Sequence, residues 1–202
     1  MTRTGLLLDF GGVVTTDFYG ALRAFCLRER LPEDAIETAL ATPAGHVALA
    51  AVESGAMPQR EYEQTLARML DLDAEGLLSR ALADLRPRTE VYDLVYRARA
   101  AGIKVAVLSN SWGTGAFDPY AGYQLHEWFD AVVISDQVGM RKPDPAIYRL
   151  AAEYIGIQPG ECVFVDDTSR NLPPATDLGM ATVLFSDTTS GVHEIERLLC
   201  LS

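Results

Sequence analysis

The stretch Leu6-Leu7-Leu8-Asp9-Phe10-Gly11-Gly12-Val13-Val14 decides the fold. Three leucines run straight into an aspartate, and two glycines follow. A continuous apolar run of this kind suits a strand covered on both faces, as in a parallel sheet. Residues 104–109, 131–134, 162–166 and 181–185 have the same character, so five buried strands are predicted, the first over residues 6–9. Helical patterns alternate with them. Residues 89–101 place Val91, Leu94, Val95 and Ala98 on one face and stop at Gly102. Residues 144–156 begin with a capping Asp144 and a first-turn Pro145 and end at Gly156. Residues 168–178 and 191–199 read as helices too. Strands alternating with helices imply an α/β fold, a Rossmann-like doubly wound parallel sheet.

The spacing is uneven. Roughly 95 residues separate the first strand from the second, far more than a crossover needs. That interval carries helical stretches at 17–30, 33–41, 59–70 and 74–85, and almost no strand signal. It reads as a small helical insert after the first strand. The expected division is a core of residues 1–16 plus 87–202 and a cap over residues 17–86. Ligands of parallel sheets bind beyond the carboxyl ends of the strands, so such an insert would sit over the site.

The 202 residues carry 17 Lys and Arg against 28 Asp and Glu, a net charge of −11. That balance counts against a nucleic-acid partner and against anionic membranes, since both are held mainly by Lys and Arg. Cys26, Cys162 and Cys200 are too scattered for a disulfide framework, and none lies in a CxxC pair. No apolar run approaches a membrane span, and residues 1–9 lack the longer apolar region of a secretory signal, so a cytoplasmic protein is expected. The oligomeric state has no sequence signal.

Polar residues cluster where the strands end. Asp9 closes the first, Ser109 the second, and Asp166-Asp167 the fourth; Lys142 stands just before the Pro143-Asp144-Pro145 helix start. Taken one at a time they read as turn, cap and solvated residues. Together they converge on one sheet edge. Three carboxylates in one place repel unless a hard cation neutralises them, and Mg²⁺ is held by carboxylates, phosphate oxygens and water. Lys142 and the Ser109 hydroxyl would hold the remaining phosphate oxygens, with Asp9 as an in-line nucleophile.

These residues carry a resemblance. The run from Leu7 to Val14 resembles the first motif of the haloacid dehalogenase-like hydrolases, and Val107-Leu108-Ser109-Asn110 the second. Gly139-Met140-Arg141-Lys142-Pro143-Asp144-Pro145 is similar to the third, and Val163-Phe164-Val165-Asp166-Asp167-Thr168, with Asn171 and Gly179, to the fourth. The subgroup it looks most like is the small-cap phosphatases. The resemblance implies Mg²⁺-dependent hydrolysis of a small phosphorylated metabolite, such as a sugar phosphate, through an aspartyl-phosphate on Asp9. It implies that Ser109 and the backbone N–H of Asn110 bind the phosphoryl group. Lys142 would neutralise that group and the Asp9 carboxylate. Asp9, the Gly11 backbone carbonyl and Asp166 would bind the metal, with Asp167 helping through a water. An acidic protein would then bind an anionic substrate by inverting its field locally.

One position departs from the pattern. Relatives that act as phosphatases usually carry a second Asp two residues after the nucleophile, as general acid and base. Here it is Gly11. The loss is worth typically about 10²–10⁴-fold in rate, or roughly 3–5 kcal/mol of barrier. Leaving groups that need little protonation, such as anomeric, acyl and aryl phosphates, are therefore expected to be favoured. Asp17 and His46 are candidates for a replacement acid, against bland readings as a helix cap and a loop histidine in the turn-like stretch Thr42-Pro43-Ala44-Gly45-His46. Three alternatives stay open to different degrees. A dehalogenase also lacks the second Asp, but it uses no metal and lacks the paired acids. A receiver domain has its acidic pair first in the chain, not last. A phosphate-binding or regulatory protein with little turnover keeps every other site residue.

Overall fold

The computed structural model describes residues 3–201. Five parallel strands, β1 (Gly5–Leu8), β2 (Lys104–Ser109), β3 (Ala131–Ile134), β4 (Cys162–Asp166) and β5 (Ala181–Leu184), form one sheet in the order β3-β2-β1-β4-β5. Register runs Leu8 to Val107 on one side of β1 and Leu8 to Val165 on the other. The leucine run is buried for the expected reason. Leu6 and Leu8 point into one apolar layer with Val91, Leu94 and Val95, while Leu7 points into the opposite layer with Ile147, Tyr148 and Phe164. A fully buried leucine contributes about 1.5–3 kcal/mol, so this strand anchors both layers at once.

The helices α6 (Thr89–Ala100) and α11 (Thr188–Leu199) cover the first face, and α9 (Pro145–Tyr154) and α10 (Leu172–Asp177) the second. Two single turns, α7 (Leu125–Trp128) and α8 (Ser135–Val138), flank β3. As predicted, α9 starts at Asp144, whose side chain accepts a hydrogen bond from the Ala146 N–H, with Pro145 in the first turn. Helix α11 begins three residues earlier than the sequence suggested. Asp187 caps it by accepting from the Ser190 N–H, and this cap outweighs the helix-breaking tendency of Gly191.

Between β1 and α6 lie α1 (Phe18–Arg28), α2 (Ala35–Ala41), α3 (Pro43–Glu53), α4 (Gln59–Leu70) and α5 (Leu77–Ala81). They share a core of their own, built from Leu22, Phe25, Ile36, Val52, Tyr62 and Leu66. Helix α3 corrects the turn-like reading of residues 42–46. Thr42 accepts from the Gly45 N–H and Pro43 takes the first helical position, so what resembled a turn is a capped helix start. Helices α2 and α3 meet there at 91°. Among the described residues, no single helix is long and apolar enough to cross a membrane.

The connections into and out of these helices run side by side. Thr15 pairs with Pro87 in an isolated antiparallel bridge, and the Thr16 N–H donates to Arg86 O at 2.9 Å. Arg88 reaches across and donates to the carbonyls of Gly12, Val13 and Thr15. A third tie comes from α4. Gln59 donates to the carbonyls of Gly113 and Phe117 and accepts from the Phe117 N–H, fastening the loop after β2.

Candidate active site

The strand order reverses between β1 and β4, so the connections leaving their carboxyl ends run to opposite faces of the sheet, the place where ligands of such sheets bind. Asp9 follows β1 directly, its N–H donating to Val165 O at 2.9 Å. Its carboxylate accepts from the Phe10 N–H at 2.7 Å. Asp166 is the last residue of β4 and is fully buried. Lys142, 1 % exposed, enters between them: Nζ lies 2.8 Å from Asp9 Oδ1 and 2.6 Å from Asp166 Oδ2. Burial pulls an ammonium down, but Asp166 and Asp9 together outweigh it and hold Lys142 above its ordinary value.

The other oxygen of Asp166 is also occupied. Oδ1 accepts from the Thr168 N–H at 2.8 Å, and the Asn171 amide spans both oxygens at 3.0 and 3.1 Å. The Tyr148 hydroxyl donates to Asn171 O at 2.7 Å and fixes the backbone there. Asp167 accepts from the Thr168 hydroxyl. One oxygen from each of Asp9, Asp166 and Asp167 lies within 4.8 Å of the others. Burial first, and then Asp166, raise both of the other carboxyls: Asp9 well above the ordinary range and Asp167 to about 6. One ammonium does not balance three crowded carboxylates, and this donor set of hard oxygens fits a hard divalent cation.

Gly11 and Gly12 shape the floor. Gly12 has φ +75°, and a β-carbon there would lie 2.1 Å from Asp167 Oδ2, so the chain approaches that carboxylate as only glycine can. Gly11 has an ordinary backbone, φ −66° and ψ 130°. Gly11, Asp9, Lys142 and Asp167 line one recess of about 80 Å³.

Asn110 uses its side chain to place Lys142. Its Oδ1 accepts from the Lys142 N–H at 2.8 Å and its Nδ2 donates to Lys142 O at 3.0 Å. Ser109 ends β2 and opens into an adjoining recess that shares Gly11, Asn110 and Trp112 with the first. Its hydroxyl is 2.9 Å from that of Tyr120, which burial keeps protonated well above its usual range. The Tyr120 ring packs on Phe10 at 4.7 Å. Nothing local in the sequence marks Tyr120, whose partner lies eleven residues away.

The two candidates for a replacement acid are placed elsewhere. Asp17 caps α1, accepting from the Gly20 N–H at 3.0 Å, and does not line the recess of Asp9. His46 lies exposed in the first turns of α3, in a neighbouring pocket. Glu53, which no sequence signal marked, does line the recess of Asp9. It is the last residue of α3 and is 5 % exposed. Trp112 stacks edge-on against Phe18 and Tyr62 and forms part of the wall between core and insert.

The model of the haloacid dehalogenase-like hydrolases matches residues 4–179. Over 132 residues the chain is 32 % identical to bifunctional epoxide hydrolase 2 of Sus scrofa, covering 63 % of this chain and 24 % of that protein. The chain therefore spans about a quarter of that relative's length. It is 31 % identical over 138 residues to a phosphatase of Mycobacterium tuberculosis, covering 63 % of this chain and 61 % of the other. A HAD family enzyme from Bacteroides thetaiotaomicron, solved with magnesium and inorganic phosphate, has the same fold, with a TM-score of 0.63 and 23 % identity over 90 % of this chain and 93 % of that one.

Proposed function

The chain belongs to the haloacid dehalogenase-like hydrolases, and from that we propose that it hydrolyses a small phosphate monoester, in a Mg²⁺-dependent reaction, through an aspartyl-phosphate on Asp9. The observation that carries the reading is Lys142 Nζ bonded to Asp9 and Asp166 at once, inside a cluster of three carboxylates. A dehalogenase has no use for such a cluster; a phosphoryl transferase needs it to offset the charge of its substrate.

Asp9, the Gly11 carbonyl and Asp166 are the residues that would hold Mg²⁺, with Asp167 acting through a water. The cation supplies charge neutralisation for the phosphoryl oxygens. The protein does the rest. Phe10 N–H and Lys142 fix the Asp9 carboxylate, so one oxygen is presented to phosphorus in a set direction. That oxygen attacks phosphorus, the ester P–O bond breaks, and the leaving oxygen departs with its electron pair and takes a proton. Ser109, held by Tyr120, and the Asn110 N–H receive the equatorial oxygens. Water then attacks the phosphorus of the aspartyl-phosphate and releases phosphate and free Asp9. Residues 17–86 act as the cap, and Phe18 and Trp112 wall the leaving-group side.

Incubation with 4-nitrophenyl phosphate and a panel of phosphorylated metabolites tests the proposal. Hydrolysis should require Mg²⁺, stop with EDTA and vanish in Asp9→Asn. Tight phosphate binding without turnover would favour the regulatory reading instead.

A further inference from the structure

The missing carboxyl of the first motif has a counterpart in the insert. Glu53 ends α3 and faces the recess that holds Asp9, Gly11, Asn110 and Lys142. Its carboxylate has poor company for a buried group. Arg141 Nε stands 2.9 Å from Oε2, but its N–H is not aligned for a hydrogen bond. Asn110 Nδ2, already donating to Lys142 O, is 3.5 Å away, at the limit of a hydrogen bond. A buried carboxylate without an aligned donor is costly, and taking up a proton relieves that cost. Such a group holds a proton ready to give.

We propose that Glu53 is the general acid of the reaction, protonating the leaving oxygen from the cap side in place of the carboxyl that Gly11 lacks. The inference rests on the phosphatase reading above. The step balances simply. As the bond between phosphorus and the leaving oxygen breaks, that oxygen takes the Glu53 proton and departs as an alcohol. Glu53 is left as a carboxylate beside Arg141 and Arg170, and it recovers a proton from the water that attacks the aspartyl-phosphate. Burial raises the Glu53 carboxyl to about 7, against the pull of Arg141, Arg170 and Lys142, so both forms are populated near neutral pH. Other groups on the facing elements are Tyr62 of α4, which stays protonated, and Asp167 across the recess. Neither hydrogen-bonds Glu53. A donor outside the first motif also removes the reason to expect activated leaving groups only.

The test is a leaving-group series, run with Mg²⁺ on the whole chain: 2,4-dinitrophenyl, 4-nitrophenyl and phenyl phosphates, then glycerol 3-phosphate as a poor leaving group. Wild type should show kcat/KM that depends weakly on leaving-group pKa. Glu53→Gln should lose about 10²–10⁴-fold on glycerol 3-phosphate but about threefold or less on the dinitrophenyl ester. Arg141→Met controls for a merely structural clasp between insert and core, because it removes the partner and leaves the acid. It should keep the shallow dependence. Equal losses across the series in Glu53→Gln, matched by Arg141→Met, would overturn the assignment while leaving the phosphatase intact. Absence of any Asp9-dependent hydrolysis in wild type would overturn both. Unfolding midpoints of both variants, taken in parallel, separate loss of fold from loss of chemistry.

Discussion

The ring of Phe18 stands in the space that a side chain on Gly11 would need: a β-carbon built there lies 3.2 Å from Phe18 Cδ2. The backbone of Gly11 would accept any residue, so the obstacle is the neighbour and not the torsion angles. Phe18 is itself held by Tyr19 at 5.7 Å and Trp112 at 5.4 Å. Gly11→Asp should therefore cost about 1–3 kcal/mol by overpacking and gain little turnover. Gly11→Asp with Phe18→Ala should gain more than the single variant. Thermal melts and kcat on glycerol 3-phosphate for the two variants check this.

Lys142 is an ammonium buried between two carboxylates. Lys142→Met leaves Asp9 and Asp166 buried and facing each other, a loss of about 3–5 kcal/mol. Turnover should fall below detection. Mg²⁺ should restore part of the stability, because the cation then takes over the neutralising role. Urea midpoints in EDTA and in Mg²⁺ measure the difference, which should be larger for Lys142→Met than for wild type.

Glu53 makes stability depend on pH in a stated direction. Its carboxyl is raised from 4.5 to about 7, so the folded chain binds more protons than the unfolded one across that window. The contribution is fully present below pH 4.5 and is lost as pH rises through 7. Glu53→Gln, which mimics the protonated form, should match wild type at pH 4.5 and exceed it by about 1–3 kcal/mol at pH 8. Urea titrations at the two pH values in EDTA give the result.

Gly12 combines a left-handed backbone with contact to Asp167. Gly12→Ala should cost about 1–3 kcal/mol from the torsion alone. It also pushes Asp167 off the position it holds beside Asp9 and Asp166. The rise in melting temperature on adding Mg²⁺ should shrink in this variant, while Gly102→Ala, strained at φ +83° but far from any neighbour, should leave that rise unchanged.

The sheet was readable because its central strands β1, β2 and β4 are buried on both faces and so announce themselves as apolar runs, while the partly buried edge strands β3 and β5 are short and keep the same apolar character. Asp9, Ser109 and Asp166 were readable for the same reason, since each stands where such a run stops. Lys142 was placed by its motif, and its double ion pair could be expected only in outline. Glu53 and Tyr120 were not readable. Glu53 ends a helix whose start, Thr42-Pro43-Ala44-Gly45, has the composition of a turn, and its contacts come from residues 110 and 141. Tyr120 meets Ser109 through a glycine-containing loop that has no periodicity to read. In both cases the decisive contact joins segments whose separation in the chain carries no pattern.

The Thr16–Arg86 hydrogen bond and the Thr15–Pro87 bridge bring the chain back to where it left. For the sheet, everything between those residues is one closed loop whose ends are already pinned. Doubling the length of such a loop costs only about 0.6 kcal/mol of closure entropy. Helices can thus be lengthened, shortened or exchanged behind that pin at little thermodynamic penalty to β1. In the proposed reaction, changes behind the pin would reshape the wall facing the leaving group while Asp9, Asp166 and Asp167 stay on the sheet edge.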